Sequence, residues 1–386
     1  PVSKGRKRWE NLLSLNNLMI MKRAISHLCF ILLIAVNMVF SVNRNGTTAA
    51  NFLEIDLGSA GSSMGGAYVS LVSDMSAVYW NPAGLSAIRN RETLFLYQPW
   101  IVGIENVFAG IGFELPRIGT LAFSINYLDY GDEEVTTVDQ PDGTGELYTA
   151  NEYALGISYA RRIVNWFSFG VTAKYISSSI WHTSASAFAL DLGVIVDTEF
   201  FSVTGDRHNG LKIGMSISNY GTRMKYDGMD LLNPIDITDD YGNFANVPGQ
   251  FKTDGWELPL LFRIGVSIQP LYSSSQILTL SIDALHPNNN SESINLGGQY
   301  EYRIPGGTSL FLRIGLKGTN KINFEELNFD SGENETITVE NAQYGLTYGG
   351  GLKINLGRNQ TMKIDYGFKT MGMLGNMHQY TLGYIF

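Results

Sequence analysis

The sequence predicts an all-β protein: a fourteen-stranded antiparallel transmembrane β-barrel with an N-terminal glycine-rich plug, or hatch, in its lumen. Three observations predict it. Only 16% of the 386 residues are charged, against about 25% in a soluble domain. From Arg91 onward, apolar residues recur at every second position in segment after segment, the period of a strand with two unlike faces. The connections between these segments also alternate between tight and long, as in membrane barrels with short turns at one end and long loops at the other.

The front of the chain reads as a leader. Lys22-Arg23, after Met21, is a charged start, ISHLCFILLIAVNMVF is an apolar run, and Ser41 is a small residue at a cleavage point; together they make a secretory signal peptide. Residues 1–41 are therefore read as an upstream extension plus signal, with the start at Met19, Met21 or further upstream. Cys29, the one cysteine, lies inside that run, so the exported chain has none. A lipoprotein would need the apolar run before its cysteine. Without the leader the chain holds 21 basic and 35 acidic residues, a net charge of −14. An exported acidic chain lacks the basic face that nucleic acid requires.

Residues 42–90 are the expected plug. GSAGSSMGGAYVSLVSDMSAVYWNPAGL has glycine at 58, 61, 65 and 66, and so little side chain that it needs a larger wall around it to become ordered. Asp74 stands as an N-cap ahead of MSAVYW, and Asn81-Pro82 is a second cap with proline at the first helical position. The glycine spacing is not a dinucleotide fingerprint, because no apolar strand leads into it and no βαβ unit follows.

The barrel is expected over 91–386. Its strands fall at 92–102, 105–115, 119–129, 150–162, 166–180, 184–199, 209–220, 256–269, 275–285, 292–303, 307–318, 341–355, 360–371 and 376–386. Many are about ten residues, the length a tilted strand needs to cross a bilayer. If the first strand runs outward from the periplasm, ELPRIG, RRIVNW, RIPGG and NLGRNQ are tight periplasmic turns. The long segments 130–149, 221–255 and 319–340 then all lie outside.

Energetics assigns the faces. The polar face of the later strands carries Arg263, Asp283, Glu301, Arg303, Arg313, Lys317, Lys353, Lys363, Asp365 and Lys369. A charge facing lipid costs about 2–4 kcal/mol at the midplane, so these side chains are expected to face the lumen as a neutralising network that fixes register and grips the plug. The last strand places Tyr380, Leu382, Tyr384 and the terminal Phe386 on one face, the expected signal to the barrel assembly machinery. Trp100, Trp166, Trp181 and Trp256 are expected in the aromatic girdles at the membrane surfaces.

The run MGGAYVSLVSDMSAVYWNPAGLS, between leader and first strand, resembles the N-terminal hatch of the FadL-type outer-membrane proteins, and most of all the PorV/PorQ branch. Gly65 and Gly66 match its glycine-rich lead-in, and Asn81, Pro82 and Ala83 its NPA tripeptide. The resemblance covers essentially the whole exported chain. It implies a fourteen-stranded barrel plugged by the hatch, in the bacterial outer membrane and in contact with its lipids. The PorV/PorQ branch is associated with type IX secretion, which implies secreted client proteins as partners. The fatty-acid transporters of the superfamily imply the alternative, a passive channel for hydrophobic small molecules such as long-chain fatty acids. No long apolar outer loop makes a capture site for such molecules; the loops 130–149 and 319–340 are acidic and polar. Enzymatic activity is not expected, since His182, His208, His286 and His378 fall in turns or at strand ends outside any catalytic motif. No metal-ligand spacing and no cofactor signature is present.

Overall fold

A computed structural model describes residues 46–237, 247–318, 321–327, 334–340, 345–357 and 360–386. The signal-peptide expectation for 1–41 lies outside the described residues, as do the first residues of the strand expected at 341–355.

The wall is made of fourteen strands: β1 Arg91–Pro99, β2 Glu105–Leu115, β3 Gly119–Glu134, β4 Leu147–Val164, β5 Phe167–Ile180, β6 Thr183–Asp197, β7 Lys212–Gly221, β8 Leu261–Tyr272, β9 Gln276–Pro287, β10 Ser293–Ile304, β11 Thr308–Leu316, β12 Leu346–Gly357, β13 Gln360–Thr370 and β14 Asn376–Ile385. Each pairs antiparallel with the next. The sheet closes where β1 meets β14, with Glu92 opposite Ile385 and Tyr97 opposite Tyr380. Closure leaves no strand edge exposed, which is the condition for a sheet to span a membrane.

The two faces of the wall are the reverse of a water-soluble sandwich. On β6 the inward positions are small, with Ala187 at 2% and Ala189 at 3% exposure, whereas Phe188, Leu190 and Leu192 point outward at 66%, 48% and 45%. Outward Met215 and Ile217 alternate with buried Ser216 and Ser218 on β7, and outward Leu280 and Ile282 alternate with buried Thr279, Ser281 and Asp283 on β9. An apolar belt of this extent is stable against hydrocarbon and not against water.

Inside the wall lies the N-terminal segment, residues 48–88. Its apolar side chains form one cluster with Leu94, Leu96, Phe108, Ala122 and Ala160. Ala50, Phe52, Leu53 and Ile55 form a second with Leu128, Ala154, Ile176 and the small inward residues of β6. The hydrophobic core thus sits between this segment and one side of the wall.

Several boundaries differ from the sequence expectation. β1 stops at Pro99, and the chain turns through Ile101–Gly103 with Val102 at φ +54°. β3 and β4 extend past the expected 129 and 150 across a bulge, so they shorten the loop expected at 130–149. β8 begins only at Leu261; Trp256 instead bridges to Met224. The β6–β7 connection is the exception among the turns expected to be tight. Residues 198–211 fold on themselves, with Ser202 Oγ donating to Asn209 at 2.6 Å and Arg207 paired to Glu199 at 2.8 Å. Trp100 does not join a girdle; its ring packs inside, 5.6 Å from Lys369 Nζ.

Candidate functional site: the N-terminal segment and the polar lumen

The segment is built from short turns because it has too few side chains for anything longer. A helix covers Ser59–Ser63, another Ala77–Trp80, and a 3-10 turn Pro82–Ala87. Asp74 accepts from the Ser76 N–H at 3.0 Å, so it caps the turn before the second helix rather than a longer helix. Asn81 caps the following turn as expected: its Oδ1 accepts from the Ala83 N–H at 3.1 Å, with Pro82 at the first position. The fully buried Asn81 also donates from Nδ2 to Val69 O at 2.9 Å and to Val194 O at 3.0 Å. One side chain therefore fixes two turns of the segment and a wall strand.

Glycine allows the backbones to meet. Gly65 has φ +67°, and a Cβ there would lie 2.7 Å from Leu316 O. On the wall, a Cβ at Gly193 would lie 2.0 Å from Asn81 Oδ1. Gly66 faces Asn295, and Ala83 is buried beside Asn81.

The ionic residues predicted for the lumen separate into two groups. Four reach the N-terminal segment. Arg263 lies over the Tyr79 ring at 4.8 Å, and Asp283 Oδ2 accepts from the Val69 N–H at 2.8 Å. Lys317 and Lys369 converge on Asp56, Lys369 at 3.1 Å. Burial pushes the Asp56 carboxyl up, but the two ammonium groups outweigh it and hold it well below the usual carboxylate range. Gln379 Nε2 also donates to the Asp56 carbonyl at 2.7 Å. Glu54 nearby is raised, because burial exceeds the help of Asn289, Arg263 and Lys317.

Of the remaining six, all but Lys353 pair along the wall. Arg313 meets Asp365 at 2.5 Å, Arg303 meets Glu301 at 2.8 Å, and Lys363 meets Glu92 at 2.8 Å. Asp56, Glu92 and the Lys174–Asp191 pair at 2.5 Å were not singled out from the sequence. The two acids in the otherwise apolar stretch NFLEIDLG, and acids on the inward phase of β1 and β6, are the signals that would have found them.

At the closure, Phe386 N donates to Arg91 O at 3.0 Å and Arg91 N to Phe386 O at 3.2 Å. Tyr380 and Leu382 face outward at 49% and 47% exposure, and Tyr384 stacks on Phe386. The predicted histidines have ordinary polar partners: His182 with Asp230 at 3.0 Å, His286 with Glu292 at 2.9 Å, His378 with Tyr366 at 2.9 Å and His208 with Tyr272 at 3.2 Å.

A closed barrel with an apolar outer belt and an ionic interior defines an integral protein of the bacterial outer membrane. Residues 40–242 match the family model described as "Type IX secretion system protein PorV", and the chain belongs to that family. No curated protein sequence matches it. Among solved structures it is similar to the toluene transporter TbuX of Ralstonia pickettii, with 11% identity and a TM-score of 0.48 over 85% of this chain and 97% of that one. It is also similar to the Pseudomonas putida toluene transporter TodX, with 11% identity and a TM-score of 0.46 over 85% and 96%. A Pseudomonas aeruginosa FadL homologue gives 11% and 0.45 over 85% and 98%.

Proposed function

We propose that the protein docks or handles secreted proteins at the outer membrane in a type IX secretion-like pathway. In this reading the leader is cleaved near Ser41, residues 42–90 act as a plug, and residues 91–386 form the wall. The ionic pairs of the lumen are structural, and the C-terminal aromatic face is the signal for assembly. No step of catalysis is assigned.

The observation that carries the reading is the fit of the N-terminal segment. Wall glycines 170, 193, 214 and 315 each lie so close to it that an added Cβ would meet its atoms at 2.0–2.5 Å. A segment held by backbone contact on β5, β6, β7 and β11, and by Asp56 between two lysines, suits a fixed platform better than a gate that swings at each passage. The acidic residues of the outer loops add a solvated surface for protein contact.

The test is isolation of the tagged protein from its native membrane in mild detergent. Secreted clients or secretion components are expected to co-isolate, and their absence withdraws the proposal. The second reading, a passive channel for hydrophobic small molecules, is favoured by the apolar side of the cavity at the long-loop end (Val102, Ile104, Ile180). Equal uptake with and without the barrel ends it.

A further inference from the structure

At the long-loop end of the lumen, β3, β4 and β5 border a cavity of about 370 Å³, closed at one side by the β1–β2 turn and at another by Tyr226. Glu152 lines it, 7% exposed, and accepts from Tyr130 Oη at 2.8 Å. Beside it Ser178 Oγ and Tyr226 Oη lie 2.8 Å apart.

Glu152 differs from the other carboxylates buried in the lumen. Asp56, Glu92 and Asp191 each have a lysine, and Asp283 holds a backbone N–H. Among the described residues no lysine, arginine or histidine forms an ion pair with Glu152. A buried carboxylate without a counter-charge is unfavourable unless a cation arrives or a proton is taken up.

The surroundings suit a cation with an apolar stem. Tyr130, Tyr148 and Tyr226 are among the residues that line the cavity, and aromatic faces attract ammonium groups. Val102, Ile104 and Ile180 supply the apolar side. Val102 is 93% exposed and held at φ +54°, a costly conformation for a β-branched residue. The segment from Tyr130 to Thr149 carries six acidic residues and no basic one, a field that concentrates cations at this mouth.

We infer that the cavity binds an organic ammonium group, the cation against Glu152 and the tyrosine rings and its stem against Val102, Ile104 and Ile180. The group belongs either to a lysine or N-terminus of a polypeptide or to a free amphipathic amine. The inference needs the barrel and not the docking of clients.

The test is calorimetric titration of the full-length barrel in detergent micelles with phenethylammonium, with phenethyl alcohol as its neutral counterpart, and with a short one-lysine peptide and its acetylated form. The ammonium is expected to bind at least tenfold more tightly than the alcohol. Glu152→Gln, equal in size, is expected to abolish that preference while folded and heated samples still differ in electrophoretic mobility. Preference for the free over the acetylated lysine assigns the group to polypeptides; binding of the amine without the peptide assigns it to small molecules. Equal binding of ammonium and alcohol to the wild type, no binding of any probe, or an unchanged preference in folded Glu152→Gln overturns the inference. Each of these leaves co-isolation of clients standing, so the two readings fail separately.

Discussion

Asn81 Nδ2 donates to the carbonyl of Val194, 3.0 Å away and 113 residues along the chain. Through this bond the sequence motif before β1 grips the wall at β6. Asn81→Ala leaves Val69 O, Val194 O and the Ala83 N–H without their partner, at about 1–3 kcal/mol for each group that water does not reach. The wall pairs are untouched, so the barrel is expected to assemble while small-solute leakage rises. Pro82→Ala should act in the same direction more weakly. Conductance in planar bilayers measures it, and an unchanged trace would remove any sealing role from the motif.

Gly193→Ala tests the same contact from the other side. The new Cβ would stand 2.0 Å from Asn81 Oδ1, so segment or strand must move. Gly298→Ala, whose Cβ meets nothing closer than 3.7 Å, is the matched control. Thermal unfolding in micelles is expected to fall for the first and stay near wild type for the second, though Gly298→Ala also adds a β-compatible side chain to a strand. Equal midpoints would contradict the close fit.

Asp56→Asn removes the charge between Lys317 and Lys369. Breaking a buried pair while its partners stay costs about 3–5 kcal/mol, read as a lower denaturant midpoint and as faster protease cleavage within residues 46–90. The pH dependence follows from the sign of the shift. The folded carboxyl titrates below its unfolded value of about 3.9, so its contribution is complete above that pH and is lost as pH falls through the lower, folded value. The gap between wild type and Asp56→Asn is therefore expected to be constant from pH 5 to 7 and to narrow only in strong acid. A gap that closes by pH 5 would place the carboxyl elsewhere.

Ile314→Lys puts a charge on the lipid side of β11, where Ile314 is 56% exposed. The expected loss is about 2–4 kcal/mol near the midplane, measured by reversible folding into vesicles. Ile314→Leu is the neutral comparison. A lysine tolerated there as well as leucine would mean that this face looks at water.

Much of this architecture is legible in the sequence because the bilayer leaves a strand few choices. Alternation on β7, β9 and β11 gives their period, their length and which face is outward, since lipid rejects what Arg313 carries and the lumen has room for it. The motif Asn81-Pro82 reads correctly because capping is local chemistry. What the sequence hides is set by distance. Asp56 finds Lys317 and Lys369 more than 260 residues away, and no spacing announces that. Trp100 has the composition and position of a girdle residue, yet Pro99 ends β1 beneath it and the turn through Val102 folds the ring inward. The β3–β4 hairpin outruns its expected ends because its backbone pairing continues past a bulge, after the apolar alternation has stopped. The setting of Glu152 is hidden for the same reason: that it has a tyrosine but, among the described residues, no ion-pair partner depends on what distant strands carry.

The hydrogen bonds between Phe386 and Arg91 place the seam of the ring at the root of the N-terminal segment. Phe386 is thus hydrogen-bonded to the residue at which the inner segment runs into the wall, so one seam carries both the closure and that junction. Wall glycines moulded onto that inner chain leave no room between the two for an added side chain. The join of the cask and the hold on its contents are thereby one feature: a change at this seam is felt by both.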